Sequence, residues 1–553
     1  MTAETMPTRA HLLALLLVLL AVWFANLEYR KLVRPDEGRY AEIPREMVAG
    51  GDWVTPRLNA IKYFEKPPLQ YWATAAAYEI FGEHHWTARL WPALTGLAGI
   101  LLICYAGSVL FGAQAGLYAA LALASSFLYV LIGHLNTLDM GVTFFLTLGL
   151  CGFLLAQRDG ATRRQTRNWM WITWAALGCS VLSKGLIGLA LPGAVLVLYT
   201  LVQRDFALWK RLHLASGLAI LLAFTVPWFV AVSHANPEFF HFFFIHEHFE
   251  RFLTKAHGRY QPWWYFVPIL AAGMLPWLIV MFDALARAWR KAEGRFQPQR
   301  FLLVWTVFIY FFFSISSSKL PSYILPIFPA LALLIGARLS AISARTLFWQ
   351  VLPVALLAAA ALAMSPQVVK VASDEVPLEL YRNYVPWLLA ASATMLMGAT
   401  YACWQCYHNK LAPAVIALGI TGLVAAQLGL SGHDSLSPSN SAYHVAQKIK
   451  PYLRDDAPFY SVATYEQTLP FYIKRPVTLV AFQDEMAFGL QQEPQLWLPD
   501  LAAFEQAWRQ APYALALMAP ETYAQLQQSG LPMQEIARDT RRVIVKTIDR
   551  EKG

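Results

Sequence analysis

Charged residues are scarce in this chain: Asp, Glu, Lys and Arg make up 14% of its 553 residues, while 57% are hydrophobic. Because roughly a quarter of the residues of a soluble domain are charged, this composition excludes an ordinary soluble protein. The apolar residues fall in runs of about 17 to 25, the length that crosses the hydrocarbon core of a bilayer. These runs also lack strict polar and apolar alternation, which favours helices over a β-barrel.

Thirteen apolar runs predict an α-helical polytopic membrane protein. The first run is longer than the apolar part of a secretory signal, and Ala25-Asn26-Leu27-Glu28 offers no small-x-small cleavage site, so we interpret it as a membrane anchor. Cysteine is rare, and its spacing predicts neither a disulfide framework nor a metal site. The predicted spans are 11–29, 88–111, 113–133, 138–157, 168–184, 186–203, 212–233, 263–286, 300–316, 322–341, 345–365, 384–404 and 411–431, and the cysteines in or at the ends of them are Cys104, Cys151, Cys179, Cys403 and Cys406.

The Lys and Arg residues of the short links indicate the orientation of the spans. They concentrate after the fourth, sixth and eighth spans, which makes those links cytoplasmic. The amino terminus is then cytoplasmic, whereas the loops 30–87 and 234–262 and the tail 432–553 lie outside. The net charge of +9 therefore reflects membrane topology, and we do not expect a nucleic-acid partner.

The tail 432–553 differs in character from the transmembrane region 1–431. Strand-like FYSVA, VTLVAF and ALALMA alternate with helix-like segments, which predicts a soluble α/β domain of about 120 residues. The tail has no G-x-G-x-x-G and no P-loop, so nothing supports nucleotide binding. We assign it a structural or docking role, and we place catalysis in the region 1–431.

The loop between the first two spans concentrates acids, cations and aromatic residues, and ionisable groups kept against a bilayer are usually functional. Its part 34–50 has the pattern of an amphipathic helix that stops at Gly50-Gly51, and 66–82 that of a second helix opened by Pro67-Pro68. Two helices lying on the membrane would hold Asp36 and the Glu65-Lys66 pair at the boundary between water and lipid.

Several cations lie on the outer side, where the topology rule does not predict them, and this indicates an anionic ligand there. The alternative is that each is an ordinary anchor whose charged end reaches the lipid surface. These cations include Arg39, Lys66, Lys184, Lys319 and the cluster Arg251, Lys255 and Arg259.

The second outer loop is rich in Phe and His, and its histidines raise the question of a metal site. His246 and His248 are two residues apart and would point to different faces of a helix, and no H-E-x-x-H is present. The metal pair that the sequence best supports is His246 with Glu65, as an accessory divalent-cation site.

Four strings of the chain form a recognisable set: Pro35-Asp36-Glu37 with Arg39-Tyr40-Ala41-Glu42, Phe64-Glu65-Lys66-Pro67-Pro68-Leu69, Ser183-Lys184-Gly185, and Lys319-Leu320-Pro321-Ser322-Tyr323. With these strings the chain resembles the membrane glycosyltransferases of the GT-C fold that use polyprenyl-phosphate sugars. The resemblance extends over nearly the whole chain and is strongest to the bacterial aminoarabinose transferases that modify lipid A.

The resemblance implies transfer of 4-amino-4-deoxy-L-arabinose from undecaprenyl phosphate to a lipid A phosphate. The reaction would take place at the periplasmic face of the bacterial inner membrane, among membrane lipids, and we expect a monomer. It also implies that the chemistry requires no metal, because the donor is a lipid monophosphate.

The residue matches assign expected roles. Asp36 is the central acid and Asp139 a second one, although either could instead be a helix N-cap. Lys66 and then Arg251 would stabilise the negative charge of the departing polyprenyl phosphate. The substrate-binding residues that complete the expected site are Arg39, Tyr63, Glu65, Lys184, Lys319 and Tyr323.

Three alternatives stay open at this point. A related enzyme could transfer another sugar, such as galacturonic acid or a hexose, to lipopolysaccharide or protein. A transporter would also have many spans, but the chain shows no internal half-repeat. A non-catalytic scaffold for envelope assembly would rely on the outer domain and would tolerate substitution of Asp36 and Lys66.

Overall fold

The computed structural model of this chain describes residues 8–244 and 261–548, and each predicted apolar run coincides there with a helix or a bent pair of helices. The apolar helices of the membrane region are Arg9–Phe24, His85–Phe111, Ala113–Ser125, Phe127–Gly133, Leu138–Gln157, Arg163–Lys184, Ile187–Gln203, Leu214–Ala235, Phe266–Gly273, Leu278–Ala288, Pro298–Ile315, Phe328–Leu339, Ala344–Met364, Leu378–Tyr407 and Leu411–Gly432.

The chain is a multi-pass membrane protein, and fewer of its helices are long and apolar enough to span a membrane than the number of runs predicts. Within the described ranges eight helices are long and apolar enough to cross a membrane, or up to ten if each of two bent pairs counts as one span. Arg9–Phe24 and Ile187–Gln203 are shorter, and Arg163–Lys184 begins with two polar turns. The predicted count of thirteen is therefore not confirmed.

Small residues let the membrane helices approach closely. A Cβ on Gly107 would lie 2.9 Å from the Cα of Gly116, and one on Gly336 would lie 2.3 Å from the carbonyl oxygen of Ala115. Within lipid the hydrophobic effect does not bring helices together, so membrane helices associate through close packing of this kind.

The first outer loop folds as its sequence predicts at both ends. The first outer helix, Asp36–Gly50, ends at Gly51 with φ +69°, since glycine adopts this left-handed conformation without strain. The second outer helix, Leu69–Phe81, follows Pro68. Between them β1 (Arg57–Leu58) and β2 (Ile61–Lys62) form an antiparallel hairpin, which the sequence did not predict.

The first outer helix, which the sequence predicts to lie on the membrane, packs against the tail. Ten of its fifteen residues are buried, because the tail covers it. A Cβ on Gly38 would lie 2.5 Å from the carbonyl carbon of Gln467, so the two backbones touch. Tyr40, Leu58 and Tyr71 of the loop share one core with Leu469 and Leu479 of the tail.

The tail forms the α/β domain that the sequence predicts, around a six-stranded sheet. The strand order is β5-β4-β3-β6-β8-β7, parallel from β5 to β6 and antiparallel for β8 and β7. The strands are β3 (Phe459–Val462), β4 (Thr478–Val480), β5 (Trp497–Leu498), β6 (Leu515–Met518), β7 (Met533–Arg538) and β8 (Val543–Thr547), and the helices are Ser437–Asn440, Tyr443–Ile449, Leu469–Ile473, Ala487–Gln492, Leu501–Gln510 and Pro520–Gln528.

Candidate functional site

Asp36 is the first residue of the first outer helix, and its carboxylate pairs with Arg39 one turn later. The Oδ1 of Asp36 lies 3.0 Å from the Nη1 of Arg39, as the helical spacing of three residues allows. The N-cap position is taken by Pro35, which makes no side-chain cap bond. Because 42% of the Asp36 side chain is exposed, this acid is accessible to a substrate while its neighbour Arg39 holds it in place.

Arg39 connects this acid to the tail, where its Nη2 donates to the carboxylate of Glu485. Its guanidinium also lies 5.8 Å from the ring centre of Tyr40 and 6.0 Å from that of Tyr63. Burial by itself lowers the pKa of Arg39, but Tyr63, Tyr40, Glu485 and Asp36 outweigh it and raise that pKa. Arg39 therefore stays charged.

The sequence did not point to Glu485 as a site residue, because Glu485 lies in the tail, for which the sequence predicts only a structural or docking role. Its helical turn, Asp484–Met486, follows β4 at the carboxyl end of that parallel strand, where ligand-binding residues of open α/β sheets collect. Burial raises the pKa of Glu485, and Arg39 opposes this. The one signal available in the sequence was a pair of acids just after a predicted strand.

Glu65 and Lys66 lie beside each other just after the hairpin. The Nζ of Lys66 is 3.8 Å from the Oε2 of Glu65 and donates to its carbonyl oxygen at 2.8 Å. The sequence predicts a helix from Lys66 onward, but residues 65 and 66 are not helical and the second outer helix begins at Leu69. The cation and its adjacent acid therefore form one local pair.

Tyr63 is buried two residues before that pair. Its hydroxyl has no hydrogen-bond partner within the described residues, which is costly for a buried polar group in the absence of a ligand or water. Burial raises the pKa of Tyr63 and Glu65 adds to this effect, so the hydroxyl remains a donor.

Three further predicted residues meet on separate membrane elements. Lys184 ends the helix Arg163–Lys184 and forms an ion pair with Asp139, in the first turn of Leu138–Gln157. Its Nζ also lies 5.0 Å from the ring centre of Tyr323. The structure thus brings together residues separated by more than 180 positions.

Burial raises the pKa of Tyr40, and Asp36, Glu65 and Asp139 act in the same direction, against Arg39. The backbone amide of Asn136, three residues before Asp139, donates to Glu37, the neighbour of Asp36, at 2.9 Å. The segments that carry the two groups are therefore in contact, and we treat them together as one candidate site with cations and tyrosines.

The described contacts do not place every predicted residue in this site. Lys319 donates to the carbonyl oxygens of Ser316 and Gln261, so its described partners belong to neighbouring loops. Arg251 and His246 lie outside the described residues, and with them the suggested pair of His246 and Glu65. Within the described ranges no group of three His, Cys, Asp or Glu side chains could hold a metal ion.

Glu37, the neighbour of Asp36, is the second acid that sequence reasoning left without a role. Arg89 donates to its two oxygens at 2.7 and 2.8 Å, and the backbone amides of Asn136 and Val33 also donate to it. Burial alone would raise the pKa of Glu37, but Arg89 outweighs it and lowers that pKa to about 2. This buried ion pair fixes the start of the helix that carries Asp36.

Comparisons with known proteins agree with this fold. Residues 445–547 match the family model of the aminoarabinose transferase C-terminal domain, and residues 10–243 match that of the dolichyl-phosphate-mannose-protein mannosyltransferases. A crystal structure of ArnT from Cupriavidus metallidurans bound to undecaprenyl phosphate superposes with a TM-score of 0.94 at 41% identity, covering 98% of this chain and 99% of that one. Its apo form gives a TM-score of 0.93 at 42% identity, with 98% of each chain covered.

Curated relatives match over a shorter region. An undecaprenyl phosphate-alpha-4-amino-4-deoxy-L-arabinose arabinosyl transferase of Erwinia tasmaniensis is 35% identical over 313 residues, 56% of each chain. One of Proteus mirabilis is 38% identical over 335 residues, 60% of each. The chain thus spans less than two thirds of the length of these curated relatives.

The fold is that of the membrane glycosyltransferases of the GT-C class. Within that class, the chain belongs to the ArnT family of aminoarabinose transferases.

Proposed function

We propose that this protein transfers 4-amino-4-deoxy-L-arabinose from undecaprenyl phosphate to a phosphate of lipid A, at the periplasmic face of the bacterial inner membrane. The observation that carries the proposal is the likeness, over 98% of the chain, to an ArnT bound to undecaprenyl phosphate. The paired acids and cations of the outer site support it, because both substrates have anionic heads.

Lys66 stabilises the polyprenyl phosphate as it departs from the sugar. When the bond between the anomeric carbon of the sugar and the phosphate oxygen breaks, its electron pair goes to the polyprenyl phosphate, and a nearby cation lowers the energy of that charge. Arg251, assigned by the resemblance, serves the same group. Lys184 and Lys319 are the further cations of this proposal.

Asp36 serves the acceptor. An oxygen of the lipid A phosphate forms the new bond to the sugar, and this phosphate is largely doubly ionised at neutral pH because its second pKa is near 6. Asp36 removes any remaining proton and orients the phosphate, while Arg39 holds Asp36 in place. Asp139 is the second acid.

Tyr63, Tyr323 and the carboxylate of Glu65 bind the sugar, whose amino group is cationic at neutral pH. We expect the reaction to need no metal and to be insensitive to chelators, with any divalent cation at Glu65 and His246 accessory. We also expect the protein to act as a monomer.

Mass spectrometry of lipid A from cells with and without the gene tests the proposal. The expected result is a gain of one aminopentose on lipid A when the gene is present. Unchanged lipid A with a shift in another glycan would indicate transfer of a different sugar, and no change in any glycan would overturn the assignment as a transferase.

A further inference from the structure

Asn136 lies in the short link between the helices Phe127–Gly133 and Leu138–Gln157, and its side chain is fully buried. The helix that follows the link carries Asp139 in its first turn. Because only two residues separate Asn136 from Asp139, a shift of the link moves the second acid of the candidate site.

The backbone amide of Asn136 connects this link to the first outer helix. It donates to the Oε1 of Glu37 at 2.9 Å, and the same carboxylate accepts two hydrogen bonds from Arg89. Glu37 directly follows Asp36 in the first outer helix. The link therefore has a fixed position relative to the central acid.

The side chain of Asn136 connects the link to the second outer helix. Its Oδ1 accepts a hydrogen bond from the Nε2 of Gln70 at 2.9 Å. Gln70 is the second residue of the helix Leu69–Phe81, is 1% exposed, and lies four residues after Lys66. Asn136 thus contacts both outer helices at once, next to Asp36 on the first and just after Lys66 on the second.

The hydrogen bond between the two amides contributes orientation more than stability. Among the described residues, the Oε1 of Gln70 and the Nδ2 of Asn136 have no partner, and a buried polar atom in that state costs free energy, which offsets the small net gain of one hydrogen bond. A hydrogen bond is directional, however, so it fixes both the distance and the angle between the two segments. Apolar side chains of similar size would pack without this cost but would give no such direction.

We propose that Gln70 and Asn136 are positioning residues, which hold Lys66, Asp36 and Asp139 at the separation that sugar transfer requires. The inference rests on the proposed function, in which Lys66 acts on the departing phosphate and Asp36 on the acceptor. Both groups act on one transition state, so a small error in their separation slows the reaction strongly while each substrate still binds.

The test is an exchange of the two amides. Gln70→Asn shortens one side chain by a methylene and breaks the bond, whereas Gln70→Asn with Asn136→Gln moves that methylene to the other side chain and restores the bond. The proteins are purified in detergent and assayed with aminoarabinose linked to undecaprenyl phosphate as donor and lipid A as acceptor. Gln70→Asn is expected to lower kcat by about 10- to 100-fold and to change the KM for the donor by less than about threefold. The exchange variant should recover kcat to within about threefold of the wild-type value.

A second variant separates positioning from folding. Gln70→Met with Asn136→Leu replaces both amides by apolar side chains of similar size and leaves no unpartnered amide behind. It should melt at the wild-type temperature or slightly above and still show the low kcat of Gln70→Asn. A double apolar variant that transfers the sugar at the wild-type kcat would overturn the inference, even if Gln70→Asn does not fold.

The matched control is Gln350→Asn. Gln350, in the helix Ala344–Met364, donates to Asp283 at 2.9 Å, and its Oε1 has no partner among the described residues. This variant should melt at a lower temperature, as Gln70→Asn does, but keep the wild-type kcat. The inference would be overturned, and the proposed function left standing, by any of three results: a Gln70→Asn protein with a kcat near the wild-type value, an exchange variant no faster than Gln70→Asn, or an equal loss of kcat in Gln350→Asn. A wild-type protein that transfers no aminopentose to lipid A would overturn both.

Discussion

At the scale of single residues, the site is a set of paired charges. Asp36 pairs with Arg39, Lys66 with Glu65, and Lys184 with Asp139. Ionised groups close to a bilayer persist when they are paired, and a phosphate can replace the carboxylate next to a cation without leaving the cation unpaired. The pairs thus keep the site charged before the lipid phosphates arrive.

Lys66→Ala should reduce the rate of sugar transfer by at least about 100-fold, because the leaving phosphate loses its counter-charge. Transfer of the aminopentose to lipid A in membrane vesicles measures this. Lys448→Ala is the control, since Lys448 is an exposed lysine of the outer domain. A Lys66→Ala protein that inserts normally and keeps activity within a few-fold of the wild type would contradict the assigned role.

Glu37→Gln should destabilise the protein by about 3–5 kcal/mol, because it leaves the buried guanidinium of Arg89 without its counter-charge. Burial opposes ionisation of Glu37, but Arg89 lowers its pKa to about 2. The stability from this acid is present above its ordinary pKa and is lost only as the pH falls towards 2. The destabilisation should therefore be equal at pH 5.5 and pH 8.5.

Melting temperatures in detergent measure this effect. The control is Glu79→Gln, which changes an exposed acid of the second outer helix. If Glu37→Gln destabilises the protein less at pH 5.5 than at pH 8.5, Glu37 takes up a proton in that interval. That result would contradict the strong ion pair of Glu37 with Arg89.

At the scale of elements, the first outer helix and the tail form one unit through close backbone contact. Gly38 permits this approach, and the next residue, Arg39, reaches Glu485. The tail therefore supplies a wall of the site as well as a carboxylate.

Gly38→Ala should lower the melting temperature, and it should lower the transfer rate by about tenfold or more. The reason is that a Cβ would lie 2.5 Å from the carbonyl carbon of Gln467, so the helix and the tail must move apart. Gly193→Ala is the control: it lies in the helix Ile187–Gln203 with nothing within 4 Å of its Cβ. That change should be neutral or slightly stabilising, since alanine favours a helix more than glycine. Equal behaviour of the two variants would argue against the tight contact.

Both outer helices, with their Gly and Pro signals, were predictable at this scale, as were β3, β4 and β6. The hairpin β1–β2 was not, because each of its strands has only two residues and no alternating pattern. It is stabilised by Glu46, Val477 and Glu493, which are contacts between distant parts of the chain. The pattern of β7, MQEIAR, has too few apolar residues to signal a strand.

At the scale of the whole molecule, the distribution of Lys and Arg predicts which side each loop faces. Alkaline phosphatase fused after Gly553 should be active, because that enzyme folds only outside the cytoplasm, and the same reporter fused after Gly160 should be inactive. Enzyme activity per amount of fusion protein measures this. The opposite pattern would invert the topology and place the candidate site on the cytoplasmic face.

The sequence by itself determined the membrane class, the apolar helices and the α/β domain of the tail, and it predicted most of the residues of the candidate site, because long apolar runs, alternating segments and local strings are properties of neighbouring residues. The tertiary structure decided which of these residues meet. It placed Glu485 on Arg39, Lys184 on Asp139 and Arg89 on Glu37, pairs separated by between 45 and 446 positions. Such pairs depend on how the helices and the tail pack against each other, and local sequence patterns do not predict that packing.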